Sequence, residues 1–336
     1  MDSLTVSAIL PVYNCEKTIG TVLDCLFAAM SADYTFEVVA VDDASTDGTA
    51  EICNKYPVNL IHLSENHGPA YCRNLGVRSS TGNVLLFLDS DIEFAPDLLG
   101  KMLGRLADDA DLAGIYTLTS PDPLNRTFTS RYFALQEYLR FMDVIEGGCA
   151  AWSFISTRCG LLRRSVFEET GGFNENFANA AYEDLEFSSR MDDRHQLALH
   201  PDFLVRHYWP STLWKMLRRL HVNARGVIAF PPNMRRKASV PFVKDRNARA
   251  WIGVSWLFLL GGGVWWPLYG AFMGAQFCAI HQIFWLIRGC MRHEGIGFTL
   301  KAWGAYNLTV LPFVTGVGMG VLDKMLASRR GSGKKI

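Results

Sequence analysis

The chain has 336 residues, of which 49% are apolar, and its formal net charge is zero. This composition excludes a disordered chain and a disulfide-stabilised miniprotein, and the length predicts about two folded units. The charges are segregated, however: residues 1–204 carry 14 Lys/Arg against 30 Asp/Glu, whereas residues 205–336 carry 19 against 3. Such asymmetry predicts that the basic half contacts a membrane or another polyanion, and argues against a simple soluble monomer.

The cysteines and the N-terminal residues predict a cytosolic environment. The chain has eight cysteines but no C-x-x-C pair, so we expect reduced thiols and neither a zinc site nor a disulfide framework. Met1-Asp2-Ser3 leads directly into a strand-like run, without the basic and apolar regions of a signal peptide. We therefore expect no cleaved signal peptide and a cytoplasmic N-terminal half.

Strand and helix patterns alternate along the first hundred residues. Apolar runs predict strands at 6–10, 36–41, 60–63 and 84–88. Between them, helical spacing or start signals predict helices over 19–30, from 46–47 onward and over 69–77. This alternation is typical of an α/β fold with a mostly parallel sheet, whose ligand site lies at the carboxyl ends of the strands.

Carboxylates follow two of these predicted strands. Asp43 lies in the run Asp42-Asp43-Ala44-Ser45-Thr46-Asp47-Gly48, and Asp89 and Asp91 follow the fourth strand. Helix capping is sufficient to explain Asp47. It does not explain Asp89 and Asp91, because a spacing of two aims both side chains in one direction from an extended segment. Their like charges predict a bound Mg²⁺ or Mn²⁺ ion, of the kind usually shared with substrate phosphates.

Four motifs in a fixed order give the chain a recognisable resemblance. They are Leu10-Pro11-Val12-Tyr13-Asn14, the 42–47 run, Asn66-His67-Gly68-Pro69-Ala70 with Arg73-Asn74, and Asp89-Ser90-Asp91. Over roughly residues 4–230 the chain resembles the family 2 glycosyltransferases, which have the Rossmann-like GT-A fold. The resemblance implies a nucleotide-sugar donor, usually a UDP-sugar, and an inverting, metal-assisted displacement.

The resemblance also implies roles for individual residues of the donor site. Pro11 and Tyr13 would flank the base, and Asn14 lies in the same motif. Asp43 would bind the edge of the base, and Arg73 would approach the base or the diphosphate. Asp91 would hold the metal, with Asp89 near both the ribose and the metal.

The acceptor side requires a general base, because an alcohol is a poor nucleophile until its proton is removed. Glu183 and Asp184 open a predicted helix, where acidic residues are also favoured simply by the helix dipole. Adjacent helical residues point about 100° apart, so both cannot face one site. The family's glutamate–aspartate motif falls here, which implies Asp184 as the base and leaves Glu183 to bind an acceptor hydroxyl.

His207 follows the last strand-like run, 203–205. A histidine beside aromatic residues is often simply packed or capped, but many family members have a third metal ligand at this position. The processive members carry a Q-x-x-R-W motif farther along the chain. Here the corresponding stretch is Leu217-Arg218-Arg219-Leu220-His221, which favours the addition of one sugar per event.

The composition changes after the catalytic domain, which we predict to cover 1–212. Residues 215–249 hold ten Lys/Arg and one acid, and an apolar stripe at helical spacing accompanies the cations. We therefore predict a basic amphipathic segment over 213–249 that lies on an anionic membrane surface. RNA is the alternative partner for such a segment. Nucleic acid is disfavoured because the next residues, 250–287, contain no charged side chain.

Residues 250–322 are predicted to form a transmembrane region. As one helix, the uncharged run 250–287 would be about 57 Å long, whereas the hydrocarbon core is about 30 Å thick. With the uncharged run 302–322, the region accommodates two to three helical segments. The positive-inside rule favours the cytosol for the basic segment and for the tail 323–336, but the sequence leaves two and three crossings open.

Together these observations predict an inverting glycosyltransferase of the inner or plasma membrane with a cytoplasmic catalytic domain. Its expected partners are a nucleotide-sugar donor, a lipid-linked saccharide acceptor with a free hydroxyl, and membrane lipids. A polyprenyl-phosphate glycosyl synthase is one alternative, although a phosphate acceptor needs no base. The other alternative is an inactive transferase-like scaffold or transport subunit, which would be expected to lack the metal carboxylates or the base.

Overall fold

The computed structural model describes residues 4–31, 34–142, 145, 150–152, 156–176, 183–192, 194–229, 243–262 and 267–329. The chain forms two compact units: Met1–Leu124 with Ile145–Tyr208, and Asn125–Val144 with Trp209–Lys334. The middle of the predicted basic segment, 230–242, lies outside the described residues, as does the second half of the predicted tail, 330–336.

The first unit is built on one mixed β-sheet. Its strands are β1 Thr5–Val12, β2 Thr35–Asp42, β3 Asn59–His62, β4 Val84–Leu88, β5 Ile92–Phe94, β6 Leu112–Thr119, β7 Ala150–Trp152, β8 Cys159–Arg163 and β9 Gln196–His207. Their order is β3-β2-β1-β4-β8-β6-β9-β5, and β7 pairs with β9. The first four strands pair in parallel, as do β6 and β9, whereas β8 lies antiparallel between β4 and β6. The predicted α/β fold is confirmed.

Helices flank the strands of this sheet. They are α1 Ile19–Ala29, α2 Thr49–Cys53, α3 Pro69–Arg78, α4 Leu98–Asp108, α6 Arg164–Thr170 and α7 Glu183–Arg190, while α5 Phe128–Met142 belongs to the second unit. Helix α1 buries Ile19, Val22, Leu23 and Leu26, the spacing that predicted it. Helix α2 begins two residues later than predicted, because Asp47 Oδ1 accepts hydrogen bonds from the Thr49 amide and hydroxyl at 3.0 and 2.5 Å.

The second unit is helical in its described residues. Besides α5 it contains α8 Leu213–Ala229, α9 Val243–Gly262, α10 Pro267–Gln282, α11 Phe284–Glu294, α12 Ile296–Leu308 and α13 Val310–Arg329. Helices α8 and α13 run side by side in one direction: His221 Nδ1 lies 3.0 Å from Thr315 Oγ1, and Arg225 Nε lies 2.6 Å from Asp323 Oδ2. A side chain at Gly316 would collide with the His221 carbonyl, so glycine permits this approach.

A polar network joins three of the apolar helices. Gln276 Nε2 on α10 donates to Ser255 Oγ on α9 at 2.8 Å and to Asn307 Oδ1 on α12 at 3.1 Å. Asn307 Nδ2 in turn donates to the Trp303 carbonyl at 2.9 Å. Side-chain amides and hydroxyls that bond across helices stabilise helix association where the surroundings are apolar. The network therefore fixes the register of α9, α10 and α12.

The second unit exposes many large apolar side chains on its helices. They are Leu213, Trp214, Val222, Trp251, Val254, Trp256, Leu257, Met273, Phe277, Phe284, Met291, Ile296, Leu300, Leu308, Leu311, Val314, Met319, Val321, Leu322, Met325 and Leu326. Within the described residues, the continuous segment Ile296–Leu326 is long and apolar enough to cross a membrane. A second pair, Gly270–Gln282 with Phe284–Glu294, qualifies only as one span bent by 71°. The described residues thus contain one or two candidate membrane spans, compared with the two to three helical segments predicted from the sequence.

Candidate active site

The predicted donor-site residues of β1 lie at its carboxyl end, next to the end of β2. Pro11 is half-buried, and the Tyr13 side chain is half-exposed. Asn14 has a φ of 46°, a left-handed conformation that asparagine tolerates. Its Oδ1 accepts a hydrogen bond from the Thr46 amide at 2.8 Å, and its amide donates to Ser45 Oγ at 3.0 Å. These bonds tie the loop after β1 to the loop after β2.

Asp43 is buried and organises the loop that precedes α3. Its Oδ1 accepts a hydrogen bond from the His67 amide at 2.7 Å, and its Oδ2 accepts one from the Gly68 amide at 2.8 Å. Gly68 has a φ of 88°, which glycine adopts readily. The residue after Asp43, Ala44, is also left-handed, with a φ of 63°. Backbone strain of this kind is concentrated at functional sites. The contact between Asp43 and a nucleotide base stays a prediction.

Asp42 and His62 belong to the same strand ends and were missed by sequence reasoning. The Asp42 side chain is fully buried; its Oδ2 lies 2.7 Å from His62 Nδ1, and its Oδ1 accepts a hydrogen bond from the Ser45 amide at 3.0 Å. The adjacent aspartates Asp42 and Asp43 at the end of β2 were the sequence signal that could have indicated this pair. The roles of the two aspartates differ because successive side chains of a strand point to opposite faces of the sheet.

Arg73 links the donor side of the site to the helix that carries the predicted base. It lies on α3 and is 3% exposed. Its Nη1 lies 2.6 Å from Glu183 Oε1, and its Nη2 lies 2.8 Å from Asp89 Oδ1. Its guanidinium carbon also lies 5.8 Å from the centroid of the Phe173 ring. Three predicted site residues, from α3, the end of β4 and the start of α7, are thus brought together in one ion cluster.

Asn74, the neighbour of Arg73, holds the glycine turn in place. Its Nδ2 donates to the Phe173 carbonyl at 2.8 Å, and its Oδ1 accepts from the Phe173 amide at 2.9 Å. Gly171 and Gly172 have φ values of 85° and 71°, which explains two glycines in a turn that ends α6. The sequence indicates Asn74 only as part of a motif. Its contact with Phe173 could not be predicted, because that residue lies 99 positions away.

Asp184 follows Glu183 in the first turn of α7. Burial of the carboxylate, together with the negative charge of Glu183, raises the pKa of Asp184 to about 7, although Arg73 acts in the opposite direction. A carboxylate whose pKa lies near the working pH is suited to general-base catalysis. The role of Asp184 as the base stays a prediction.

Strand pairing brings Asp91 and His207 together. Ile92 of β5 is the register partner of His207 at the end of β9, and the Tyr208 amide donates to the Asp91 carbonyl at 3.1 Å. As a result His207 Nε2 lies 3.2 Å from Asp91 Oδ1, with the histidine buried and the carboxylate 40% exposed. Asp89, the third predicted metal ligand, engages Arg73. Among the residues that the structure describes, no three His, Cys, Asp or Glu side chains form a metal-binding group.

Comparisons with known proteins bear on this arrangement. Residues 7–171 match the family described as glycosyl transferase family 2. An uncharacterised glycosyltransferase of Haemophilus influenzae is 34% identical over an alignment of 266 residues that covers 69% of this chain and 87% of that protein. The chain belongs to glycosyltransferase family 2. The enzyme class and the recognised family are thereby confirmed.

Two further likenesses concern the fold and part of the sequence. A mannosyltransferase from Pyrobaculum calidifontis, solved with GDP-Man and Mn²⁺, aligns with a TM-score of 0.56 and 18% identity, covering 96% of this chain and 88% of that one. This likeness shows the GT-A fold. The dodecaprenyl-phosphate galacturonate synthase of Rhizobium johnstonii is 27% identical over 113 residues, covering 32% of this chain and 33% of that enzyme.

The family match leaves part of the predicted site outside its range. It includes the motifs that contain Pro11, Asp43, Arg73 and Asp91, but it ends before α7 and the end of β9. For this family 2 enzyme, the roles of Glu183, Asp184 and His207 therefore stay predictions.

Proposed function

We propose that this family 2 enzyme is an inverting glycosyltransferase that moves a sugar from a nucleoside diphosphate to a hydroxyl group. The observation that supports it is the cluster at Arg73, which brings the start of α7 to the carboxylate after β4. Asp184, with its raised pKa, stands beside this cluster. A candidate base and candidate donor-binding residues therefore belong to one site.

The proposed reaction is a single displacement. The acceptor hydroxyl oxygen forms a bond to the anomeric carbon of the sugar while the bond from that carbon to the diphosphate oxygen breaks. The leaving diphosphate keeps the bonding electron pair, and the acceptor proton goes to a carboxylate oxygen of Asp184. Removing that proton in the transition state contributes about 10²–10⁴-fold to the rate.

The residues present fit a divalent metal ion in part. Asp91 and His207 offer one oxygen and one nitrogen ligand 3.2 Å apart. Because Mg²⁺ prefers oxygen ligands and usually keeps several waters, the histidine favours Mn²⁺. When bound, the ion would neutralise charge on the leaving diphosphate. Asp89 would complete the predicted ligand set only if it exchanged some of its contact with Arg73.

A UDP-sugar is the donor that we propose, because the family resemblance implies it. The experiment is a screen of UDP- and GDP-sugars, read as nucleotide release with Mn²⁺ present. GDP-mannose belongs in the screen because the Pyrobaculum calidifontis enzyme was solved with GDP-Man. Nucleotide release from a GDP-sugar and from no UDP-sugar would show that the donor is a GDP-sugar. The proposed transfer reaction would be unchanged by that result.

We expect the transfer rate to fall as the pH drops through about 7, because Asp184 accepts a proton only when ionised. The folded pKa exceeds the unfolded value of about 3.9. The stability that this group contributes is therefore fully present below that value and is lost as the pH rises through the folded pKa. Asp184→Asn should not lose this stability. The Tm of the variant minus the Tm of the wild type should therefore increase as the pH rises. A Tm difference that does not vary with pH would contradict the raised pKa.

We propose further that the second unit attaches the enzyme to the inner or plasma membrane, with the catalytic unit in the cytosol. Its helices expose many apolar side chains, and α8 carries exposed cations, including Lys215 and Arg218. Apolar and basic surface together favour an anionic bilayer. An enzyme held at a bilayer meets lipid-borne acceptors at high local concentration. A lipid-linked saccharide with a free hydroxyl is therefore the acceptor class that we propose.

Replacing both Lys215 and Arg218 by glutamine should weaken binding of the full chain to anionic vesicles. Each cation near an anionic surface contributes about 1 kcal/mol, so about 2 kcal/mol, or roughly thirtyfold in affinity, is expected at low salt. Flotation with vesicles measures it, and Lys55→Gln, at an exposed cation of α2's C-terminal loop, is the control. Equal binding of both variants would show that the cations of α8 do not contact lipid.

A polyprenyl phosphate is the alternative acceptor, and the match to the Rhizobium johnstonii synthase favours it. A phosphate is already ionised at neutral pH and needs no base. The two acceptors therefore predict different results for Asp184→Asn: transfer to a hydroxyl should be lost, whereas transfer to a phosphate should survive. An inactive scaffold subunit, the remaining alternative, is disfavoured because the candidate base and Asp91 are both present.

A further inference from the structure

We propose that Glu183 is a positioning residue that, through its ion pair with Arg73, holds Asp184 in place and links it to Asp89. This inference depends on the proposed role of Asp184 as the base. It differs from the expectation that Glu183 itself binds an acceptor hydroxyl. Under the present proposal, Glu183 acts on the reaction only through its neighbour on α7.

The contacts of Glu183 support this role. The residue is 4% exposed, and its Oε1 lies 2.6 Å from Arg73 Nη1. Arg73 is itself buried and is shared with Asp89, at 2.8 Å. Removing one partner of a buried ion pair leaves an uncompensated charge. Glu183 therefore cannot turn toward an acceptor without a large cost, and its pair with Arg73 fixes the backbone from which Asp184 projects.

The other end of α7 is held independently. Arg190 Nε and Nη2 lie 2.8 and 2.9 Å from the two carboxylate oxygens of Glu186, and Arg190 also donates to the Thr170 and Gly172 carbonyls. These contacts attach the C-terminal turn of α7 to the glycine turn. Loss of Glu183 should therefore loosen the first turn of the helix, where Asp184 lies, and leave the last turn in place.

The charges of the cluster also act on Asp184. Glu183 raises the pKa of Asp184 and Arg73 lowers it. Neutralising Glu183 should therefore shift the acid limb of the pH–rate profile to lower pH. That shift follows from the charge of Glu183 whatever its role. The kcat on the pH plateau, where Asp184 is ionised, therefore separates a positioning role in catalysis from a structural one.

The experiment compares Glu183→Gln with Glu186→Gln, which removes a carboxylate of the same helix that pairs with Arg190 and not with Arg73. Initial rates with donor and acceptor give kcat and KM across pH, and thermal melting reports folding. We expect Glu183→Gln to lower kcat by about 10²-fold, as a displacement of about 1 Å can, with an unchanged KM for the donor and an acid limb at lower pH. Glu186→Gln should keep the wild-type kcat and acid limb.

Other outcomes would overturn the inference. A wild-type kcat with a raised KM for the acceptor would return Glu183 to acceptor binding, and a wild-type kcat with only a lower Tm would make it structural. If Glu183→Gln does not fold, Glu183→Asp keeps the charge on a shorter side chain and should show an unshifted acid limb with a reduced kcat; a wild-type kcat would refute the proposal. Asp184→Asn is measured in parallel. If it keeps the wild-type rate, the proposed base is wrong; if it loses activity while Glu183→Gln keeps it, only the positioning role is wrong.

Discussion

Asp184→Asn should lower the rate of sugar transfer to a hydroxyl acceptor by about 10²–10⁴-fold, the usual cost of losing a general base. Asparagine has nearly the same volume as aspartate but cannot accept the acceptor's proton. Folding should survive, because burial already disfavours the charged form of this side chain. Single-turnover transfer from a saturating donor measures the effect, and donor affinity should stay near the wild-type value.

The matched control is Asp192→Asn, the same chemical change two residues beyond the end of α7. Asp192 is exposed and pairs with Arg194 at 2.8 Å, outside the Arg73 cluster. This variant should transfer sugar at the wild-type rate. If Asp184→Asn does so as well, the side chain serves only the start of the helix, and the proposed base is wrong.

Asp91→Asn should abolish metal-dependent transfer with little loss of folding. The exchange removes a charge from the pair that Asp91 forms with His207. A metal ion that stabilises developing charge contributes several kcal/mol, so the loss should reach about 10²-fold or more. Mn²⁺ binding, followed by electron paramagnetic resonance, should weaken in parallel, which gives a measurement independent of turnover.

Asp97→Asn is the control for this change. Asp97 precedes α4, is largely exposed and pairs with Lys101 at 2.5 Å. It should bind Mn²⁺ and transfer sugar as the wild type does. Full activity of Asp91→Asn, or of the wild type in EDTA, would remove the metal ion from the proposed mechanism.

Local patterns were sufficient to predict the first half of the sheet. The runs that became β1, β2 and β4 are largely buried, and β1, β2 and β3 are consecutive strands that pair in parallel. Strand β8 illustrates the limit. Its five residues, Cys159–Arg163, pair with β4 across some 70 intervening residues and lie antiparallel between β4 and β6. No local signal specifies such an insertion, because its stability depends on partners that are remote in sequence.

The candidate site, too, could be predicted from the sequence only in part. The sequence identified Asp43 and Glu183 as carboxylates at a strand end and at a helix start, and Arg73 as part of a family motif. Their partners followed only from the tertiary structure: Arg73 and Glu183 are 110 residues apart, and Asp91 meets His207 because β5 pairs with β9. Helix α5 is a third case, since it belongs to the helical second unit although it precedes β7, β8 and β9 in the sequence.

The most direct test of the account follows labelled sugar into the lipid fraction. Full-length enzyme in membranes that contain candidate acceptors is incubated with labelled UDP-sugar and Mn²⁺, and extracted lipids are counted for the wild type and for Asp184→Asn. We expect label in wild-type lipid, none above background in the variant, and slow hydrolysis of the donor in both. Equal labelling of lipid by the two proteins, or label confined to water-soluble products, would contradict it.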